Sequence, residues 1–411
     1  MKIGLASDEI LLDEFSLLEE LSKKVEIQFI DLKNFSFKSP EETRSLINSY
    51  GIEAIVNRAT SKNFRENSTE NFEKADILVI NPYGVEYFSN SKPRLKDIFR
   101  RYRIPTIDSI LIQDFPIKKY GDRFSLNRNA AEKISKLIFQ EWKKAVIKPT
   151  EGSRGKAIFY IESEKDFLRT CVTAFQNYKD RGKINEALFP CLSNPYGVYA
   201  EEFKPHALDL RISLEKEKGK SPVVIGCLAR VVSSDEIIAK NTALGAIPIG
   251  IPTPPKYEKI AVECINALVN FTRSRGFNID ALYGGIDIIP VCEDGEERKK
   301  IYEGIKKLSK FKTEKIEPVK TKVKVALEKR LENRCTEGEF NKTLREHDQI
   351  YAEFKSLPEY LEAQSLILEH LDKCTPYANE FNTRPDFRNN THNLSANIPE
   401  SIYRVLKSIV A

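Results

Sequence analysis

"VIKPTEGSRGKAIFYI", residues 146–161, decides how the chain is read. An apolar strand ends at Lys148, Pro149 turns the chain, and Gly152-Ser153-Arg154-Gly155-Lys156 leads into a second apolar run. Two glycines around a small hydroxyl residue let backbone N–H groups approach phosphate oxygens, and Lys148 and Lys156 bring positive charge to the same place. A P-loop or a dinucleotide fingerprint opens a helix, whereas this loop joins two strands, so it is neither. The same residues also fit a hairpin turn with solubilising charges. The rest of the chain has to separate the two readings.

The chain has 411 residues, of which 41% are hydrophobic and 30% charged, the balance of a soluble globular protein large enough for two or three domains. No apolar run approaches the roughly 18 residues that a membrane helix needs, so no membrane partner is expected. The start, "MKIGLASDEILL", reads as a first strand rather than an export signal, which leads us to expect a cytoplasmic protein. A net charge of +5 is mild and no block of like charge stands out, so no nucleic-acid partner is expected and small anionic ligands fit better. Seven cysteines are scattered without a C-x-x-C pair among only four histidines, so zinc-ligand spacing is missing and ordinary reduced thiols are expected.

Along the chain, "KIGLAS", a helix through "FSLLEELSKK", "VEIQFIDL" and "SPEETRSLINSYG" alternate as a parallel α/β unit does. In the last of these Ser39 can cap, Pro40 takes the first helical position and Gly51 stops the helix. The strands "IEAIVNRA" and "ADILVINP" complete a unit over 1–90. A basic helix, "SKPRLKDIFRRYRIP", opens a central unit over 91–195, in which a further helix is expected over "SEKDFLRTCVTAFQNYKDRG". "VYAEEFKP", "LDLRISLE" and "SPVVIGCLARVVS" read as strands of one antiparallel sheet in a C-terminal unit, 196–411, with the helix "YEKIAVECINALVNFTRSRG" and the strand "LYGGIDIIPV". Residues 293–375 carry long charged helical stretches and look inserted.

Asp287 sits mid-strand in "YGGIDIIPV", and a buried carboxylate needs a cation or a hydrogen-bond network beside it. In "NEFNTRPDF", residues 379–387, Glu380 and Asn382 are two apart and leave one face of a strand. They offer the hard oxygen atoms that magnesium takes beside nucleotide phosphates. With Lys148 and the glycine loop these residues form a plausible metal–nucleotide site, and Arg384 can reach a second anion.

At this point the order of pieces resembles the ATP-grasp enzymes, and within them the RimK-like carboxylate–amine ligases, over roughly Val56 to Ile402 apart from the insertion. The resemblance implies an α/β (α+β) ATP-grasp fold with a parallel pre-ATP domain, a small central domain and a C-terminal antiparallel-sheet domain. It implies that Lys92, thirteen residues before Pro105, and Lys148 bind nucleotide under the loop of Gly152, Ser153, Gly155 and Lys156. It further implies that the backbone at Glu202 and Phe203 grips adenine, Asp209 holds ribose, and Arg230 and Asn241 meet phosphates. Asp287, Glu380 and Asn382 would carry two magnesium ions, for which manganese can substitute. Departures are Ala239 where an arginine is usual, with Lys240 adjacent, Asp386 where a glycine often follows, and about ninety residues between Asp287 and Glu380 in place of a short link. Because both must reach the same metals, their strands are expected to be neighbours.

The activity implied is Mg-ATP-dependent ligation of a small-molecule or peptide carboxylate to an amine acceptor through an acyl phosphate. Arg230 is the catalytic candidate, and Arg384, Arg388 and Arg211 are candidates for pairing with a carboxylate-rich substrate or for structural salt bridges. A kinase acting on a hydroxyl and a non-catalytic ATP-binding regulator are the alternatives. The insertion is expected to pack over the acceptor side, with a homodimer contact as the competing role, because "LEAQSLILEHL" has apolar residues at helical spacing that must be covered.

Overall fold

The computed structural model describes residues 1–34, 39–60, 62–112, 117–120, 123–150, 158–169, 171, 198–234, 240, 245–384 and 397–410. The N-terminal part alternates β1 (Lys2–Ser7), α1 (Leu12–Ser22), β2 (Glu26–Asp31), α2 (Pro40–Ser49), β3 (Ala54–Asn57), α3 (Lys62–Lys74) and β4 (Leu78–Ile80). Its strands form a parallel sheet in the order β2-β1-β3-β4. Ser39 and Glu42 form a full capping box at α2, Pro40 follows the cap, and Gly51 takes φ +65° just after the helix ends. Helix α3 escapes the apolar-periodicity reading because "KNFRENSTENFEK" is almost wholly polar.

Helices α4 (Tyr83–Ser89) and α5 (Lys92–Arg101) lead to a second sheet made of β5 (Ser109–Ile112), β8 (Ala145–Pro149), β9 (Phe159–Ile161) and β10 (Val198–Glu202). Between β5 and β8 lie the hairpin β6 (Ile117–Tyr120) and β7 (Arg123–Leu126) and then α6 (Arg128–Glu141). Strands β8 and β9 pair antiparallel, so the segment between Lys148 and Phe159 does join two neighbouring strands. The loop residues 151–157 themselves lie outside the described residues, as does the helix read beyond residue 171.

One expectation is corrected here. "VYAEE" does not share a sheet with the two strands after it; β10 pairs with β5 and β8 in the middle sheet. Its alternation explains this: Val198 and Ala200 bury beside Ile112, Ala145, Ile147 and Ile161, while Tyr199 and Glu201 share the opposite face with Lys148.

The third sheet is antiparallel, in the order β13-β12-β11-β14-β15, from β11 (Leu208–Lys216), β12 (Val223–Val231), β13 (Ile247–Ile251), β14 (Leu282–Val291) and β15 (Thr375–Asn382). One face is apolar, with Leu210, Ile212, Ala229, Ile286, Ile288 and Phe381 in the main core, against which α7 (Pro255–Ser274) packs. Alternate residues put Asp209, Arg211, Arg230, Asp287, Glu380 and Asn382 on the other face. Gly284 lets Phe381 lie close: a Cβ there would stand 2.3 Å from the ring. The last helix, α13 (Ile398–Val410), returns to the first sheet, where Ile398, Ile402, Val405 and Leu406 join Ile3, Leu5 and Val56.

Strands β14 and β15 are neighbours, as the metal argument required. The chain between them forms α8 (Gly295–Gly304), α9 (Lys306–Phe311), a π-helical turn, α10 (Glu317–Leu331), α11 (Glu337–Ser356) and α12 (Pro358–Lys373). Ile301, Leu308, Phe354, Tyr360, Ile367 and Leu371 join the main core with β13 and α7. The insertion therefore covers an edge strand and part of the core, and Phe340 reaches Phe15 on α1 with ring centroids 5.0 Å apart. Among the described residues no helix is long and apolar enough to cross a membrane.

Candidate active site

The polar face of the C-terminal sheet is a belt of alternating charge. Arg211 Nε and Nη2 donate to Asp287 Oδ1 and Oδ2, each at 2.7 Å, in a two-pronged pair. Arg230 Nη2 stands 3.0 Å from Asp287 Oδ2 and 3.6 Å from Asp209 Oδ2. Burial acts to raise the Asp287 pKa, but the Arg211 and Arg230 guanidinium groups overcome it and hold the carboxyl well below the usual range. Arg230 Nε is buried without a hydrogen-bond partner, a fixed donor lacking an acceptor. His206 Nε2 is 3.2 Å from Asp209 Oδ1, while its Nδ1 is 2.7 Å from the Lys204 carbonyl oxygen.

On β15, Glu380 stands directly opposite Asp287 and Asn382 directly opposite Gly285. The Asn382 Oδ1 atom accepts the Arg384 backbone N–H at 2.9 Å. Two carboxylates facing each other across a strand pair repel unless a cation lies near. Lys92 Nζ, 3.4 Å from Glu380 Oε2, is one such cation. Hard oxygen donors among cationic side chains are the set that Mg²⁺ takes, so the chemistry of Asp287, Glu380 and Asn382 fits a hard divalent ion.

Helix α5 and the middle sheet supply further positive charge. Lys92, Lys96 and Arg100 recur every four residues on α5. Lys96, 0% exposed, and Lys148 both pair with the buried Glu201 carboxylate. Burial, with Lys148 and Arg100 adding to it, pushes the Lys96 pKa well below its ordinary value. Burial and then the Lys92 charge push Lys148 down to about 8, against the pull of Asp209 and Glu380. Tyr199, opposite Lys148 on β10, buries a hydroxyl without a hydrogen-bond partner, and burial, with Glu380 adding, raises it well above its usual pKa. Residues from α5, β8 and β10 thus act electrostatically on Glu380 and Asp209 of the C-terminal sheet.

The other sequence candidates are placed as follows. Glu202 receives Lys204 Nζ at 2.7 Å, and the backbone N–H groups of Glu202 and Phe203 donate to the Asp108 and Lys144 carbonyls at 3.0 Å. Phe203 lies edge-on to Tyr160 at 4.8 Å. Arg384 is apart from the belt: it donates to buried Glu14 on α1 through Nη2 at 2.6 Å, and Arg58 Nε approaches the same oxygen at 3.2 Å. Lys240 is buried. Gly152, Ser153, Gly155, Lys156, Ala239, Asn241, Asp386 and Arg388 lie outside the described residues.

Sequence reading missed Lys96, Tyr199, Glu201, Glu14 and Arg58. The four-residue spacing of "KPRLKDIFR" and the Tyr199/Glu201 alternation were the available signals for the first three. Arg58 lies 44 positions and Arg384 370 positions from Glu14, so their meeting leaves no local pattern.

Comparison with known proteins fits this architecture. Residues 127–249 match a family described as YheC/D like ATP-grasp. D-alanyl-alanine synthetase A from Vibrio cholerae is similar in structure, with TM-score 0.56, 10% identity, and coverage of 100% of this chain and 99% of that one. The D-alanine-D-alanine ligase from Coxiella burnetii gives TM-score 0.50 at 9% identity, covering 100% and 95%. A RimK domain ATP-grasp protein from Sphaerobacter thermophilus gives TM-score 0.44 at 13% identity, covering 72% and 88%. No curated protein matches the chain. Residues 127–249 thus match an ATP-grasp family, and the three sheets in this order give the chain the ATP-grasp fold of these structural neighbours.

Proposed function

We propose that the protein is an ATP-dependent carboxylate–amine ligase that works through an acyl phosphate. The observation that carries the reading is the meeting of two charge sets. Lys92, Lys148 and Arg230 are cations suited to phosphate oxygens, and Asp287 and Glu380 form a facing carboxylate pair suited to a divalent ion. The ligases among its structural neighbours support the same class of chemistry.

In this reading ATP lies between the middle and C-terminal sheets. Asp209, on the polar face of the C-terminal sheet, would hold the ribose. Lys92 and Lys148 neutralise phosphate charge, and the free Nε of Arg230 donates to a transferring phosphoryl oxygen. Asp287, Glu380 and Asn382 would hold Mg²⁺, which when bound screens the charge of the phosphates. The substrate carboxylate oxygen attacks the γ-phosphorus, the bond to the β-phosphate oxygen breaks, and ADP leaves. An amine then attacks the acyl carbon, phosphate departs with the bonding pair, and the nitrogen loses a proton to give the amide. Catalysis rests on positioning and charge neutralisation, so no general base is assigned. Arg211 contributes indirectly, because its fork fixes the Asp287 carboxylate.

Trapping tests the reading. The full chain is incubated with Mg-ATP, hydroxylamine and a panel of amino acids, dipeptides and hydroxy acids. A ligase converts a carboxylate of the panel to its hydroxamate with one ADP per product. A stable phosphorylated alcohol without hydroxamate would assign a kinase instead.

A further inference from the structure

Cys292, His370 and Cys374 come together at the neck of the insertion, at the end of the β14–β15 pair beyond the carboxylate belt. Cys292 directly follows β14, Cys374 directly precedes β15, and Val291 and Thr375 beside them form the last pair of the two strands. His370 lies one helical turn before Cys374 on α12. All three are buried, and their ligand atoms lie within 4.8 Å of one another. His370 is only 2% exposed, yet neither ring nitrogen has a hydrogen-bond partner. A buried imidazole with both nitrogens unsatisfied costs free energy unless something outside the chain supplies the missing bond.

We propose that these three residues bind one Zn²⁺ ion, which staples the entry and exit of the insertion. Two thiolates and an imidazole are soft and intermediate donors that suit zinc, in contrast to the hard oxygens of Asp287, Glu380 and Asn382. A tetrahedral site with Zn–S of about 2.3 Å and Zn–N of about 2.1 Å keeps ligand atoms about 3.6–3.8 Å apart, so side-chain movements of about an ångström close the cluster. Binding releases one proton from each thiol, and the two thiolates balance the charge of the ion. Lys256 Nζ, 3.0 Å from the Cys374 carbonyl oxygen, and Arg298 Nη1, 2.7 Å from that of Cys292, bind the backbone on either side of the cluster. Glu297, paired with Lys300 and Lys373, acts electrostatically on both His370 and Cys374. The local sequence hides such a site because the insertion separates Cys292 from its partners. Only H-x-x-x-C is contiguous.

The test uses the full chain stripped of metal and titrated with Zn²⁺ or Co²⁺ alone. One equivalent should bind, and Co²⁺ should give thiolate-to-metal charge-transfer absorption, a signature that an oxygen-only magnesium site cannot produce. C292S and C374S should each abolish that absorption, H370A should weaken binding, and C335S, outside the cluster, should leave it unchanged. If the serine variants do not fold, protection in the unaltered chain decides: Zn²⁺ should shield Cys292 and Cys374 from alkylation, read by mass spectrometry, and leave Cys335 reactive. Absence of the charge-transfer band, alkylation unaffected by Zn²⁺, or a disulfide between Cys292 and Cys374 in the reduced-buffer preparation would overturn the proposal.

Discussion

Glu380 on β15 stands directly across the strand pair from Asp287 on β14, and Asp287 is already gripped by the fork of Arg211. The two carboxylates are therefore unequal. Asp287 is 2% exposed and held by two guanidinium groups, whereas the Glu380 side chain keeps 28% of its surface and meets only Lys92 among the ion pairs described. Glu380 is the freer of the two, and Asp287 also anchors the guanidinium groups of the sheet.

This inequality separates two variants. Glu380→Gln should keep the fold and nucleotide binding but lower turnover by about 10²–10³-fold, since charge neutralisation matters most as the phosphoryl group moves. Asp287→Asn should lose turnover and also stability, because it removes the buried carboxylate that the Arg211 fork and Arg230 share. Steady-state ADP release, nucleotide titration and urea unfolding on both variants check this. Near-normal turnover in folded Glu380→Gln would remove the metal assignment.

In the proposed site Lys148 should make nucleotide binding depend on pH. Its pKa in the folded, ligand-free protein is pushed down to about 8 from the ordinary 10.5. Between those values the unfolded chain holds a proton that the folded one has lost, so this group's contribution to stability rises with pH across the window. Affinity for ATP runs the other way, because phosphates favour the ammonium form. Binding near pH 8 should take up protons, and affinity should fall by up to about tenfold per pH unit above it. Calorimetry in buffers of different ionisation enthalpy measures the uptake, which Lys148→Met should remove.

The parts legible in the sequence were those whose signal is local. Strand alternation exposed Glu380 and Asn382 together, and a charge inside an apolar run exposed Asp287. The strand pairing of β14 with β15 followed from shared ligation, although about ninety residues separate the two acids. What stayed hidden depends on packing. Glu201 reads as one more acid in "YAEEF" until β10 joins the middle sheet and places it between Lys96 and Lys148. Glu14 reads as an exposed first-turn acid until Arg58 and Arg384 close over it.

Glu201 offers a test of that buried network. It is 1% exposed and neutralises two lysines, one of them fully buried. Glu201→Gln should cost about 3–5 kcal/mol, the range for breaking a buried ion pair. Urea unfolding reads the loss. Lys96→Met in the same background should restore part of it, since the stranded ammonium is then gone. No recovery in the double variant would show that Lys96 is not the group left uncompensated.

The insertion is tied to the edge of the C-terminal sheet at one glycine. The Gly250 N–H on β13 donates to the Tyr360 hydroxyl at 2.8 Å, and its carbonyl accepts from Gln364 Nε2, one turn further along α12. The Tyr257 hydroxyl donates to the Leu371 carbonyl at 3.1 Å. The two Gly250 bonds satisfy an edge strand that would otherwise offer these backbone groups unpaired. Tyr360→Phe should cost about 1–3 kcal/mol, because the Gly250 N–H stays buried without an acceptor, and should leave the urea m-value unchanged. Replacing 295–374 by a short turn should be far more damaging. It would uncover β13 together with Tyr257, Ile260 and the rest of the core that the inserted helices cover, so the expected product is an aggregating protein rather than a soluble one with altered acceptor range. Light scattering and hydrogen exchange at Gly250 distinguish these outcomes. A soluble, monomeric deletion variant with unchanged stability would show that the insertion contributes nothing to the core it touches.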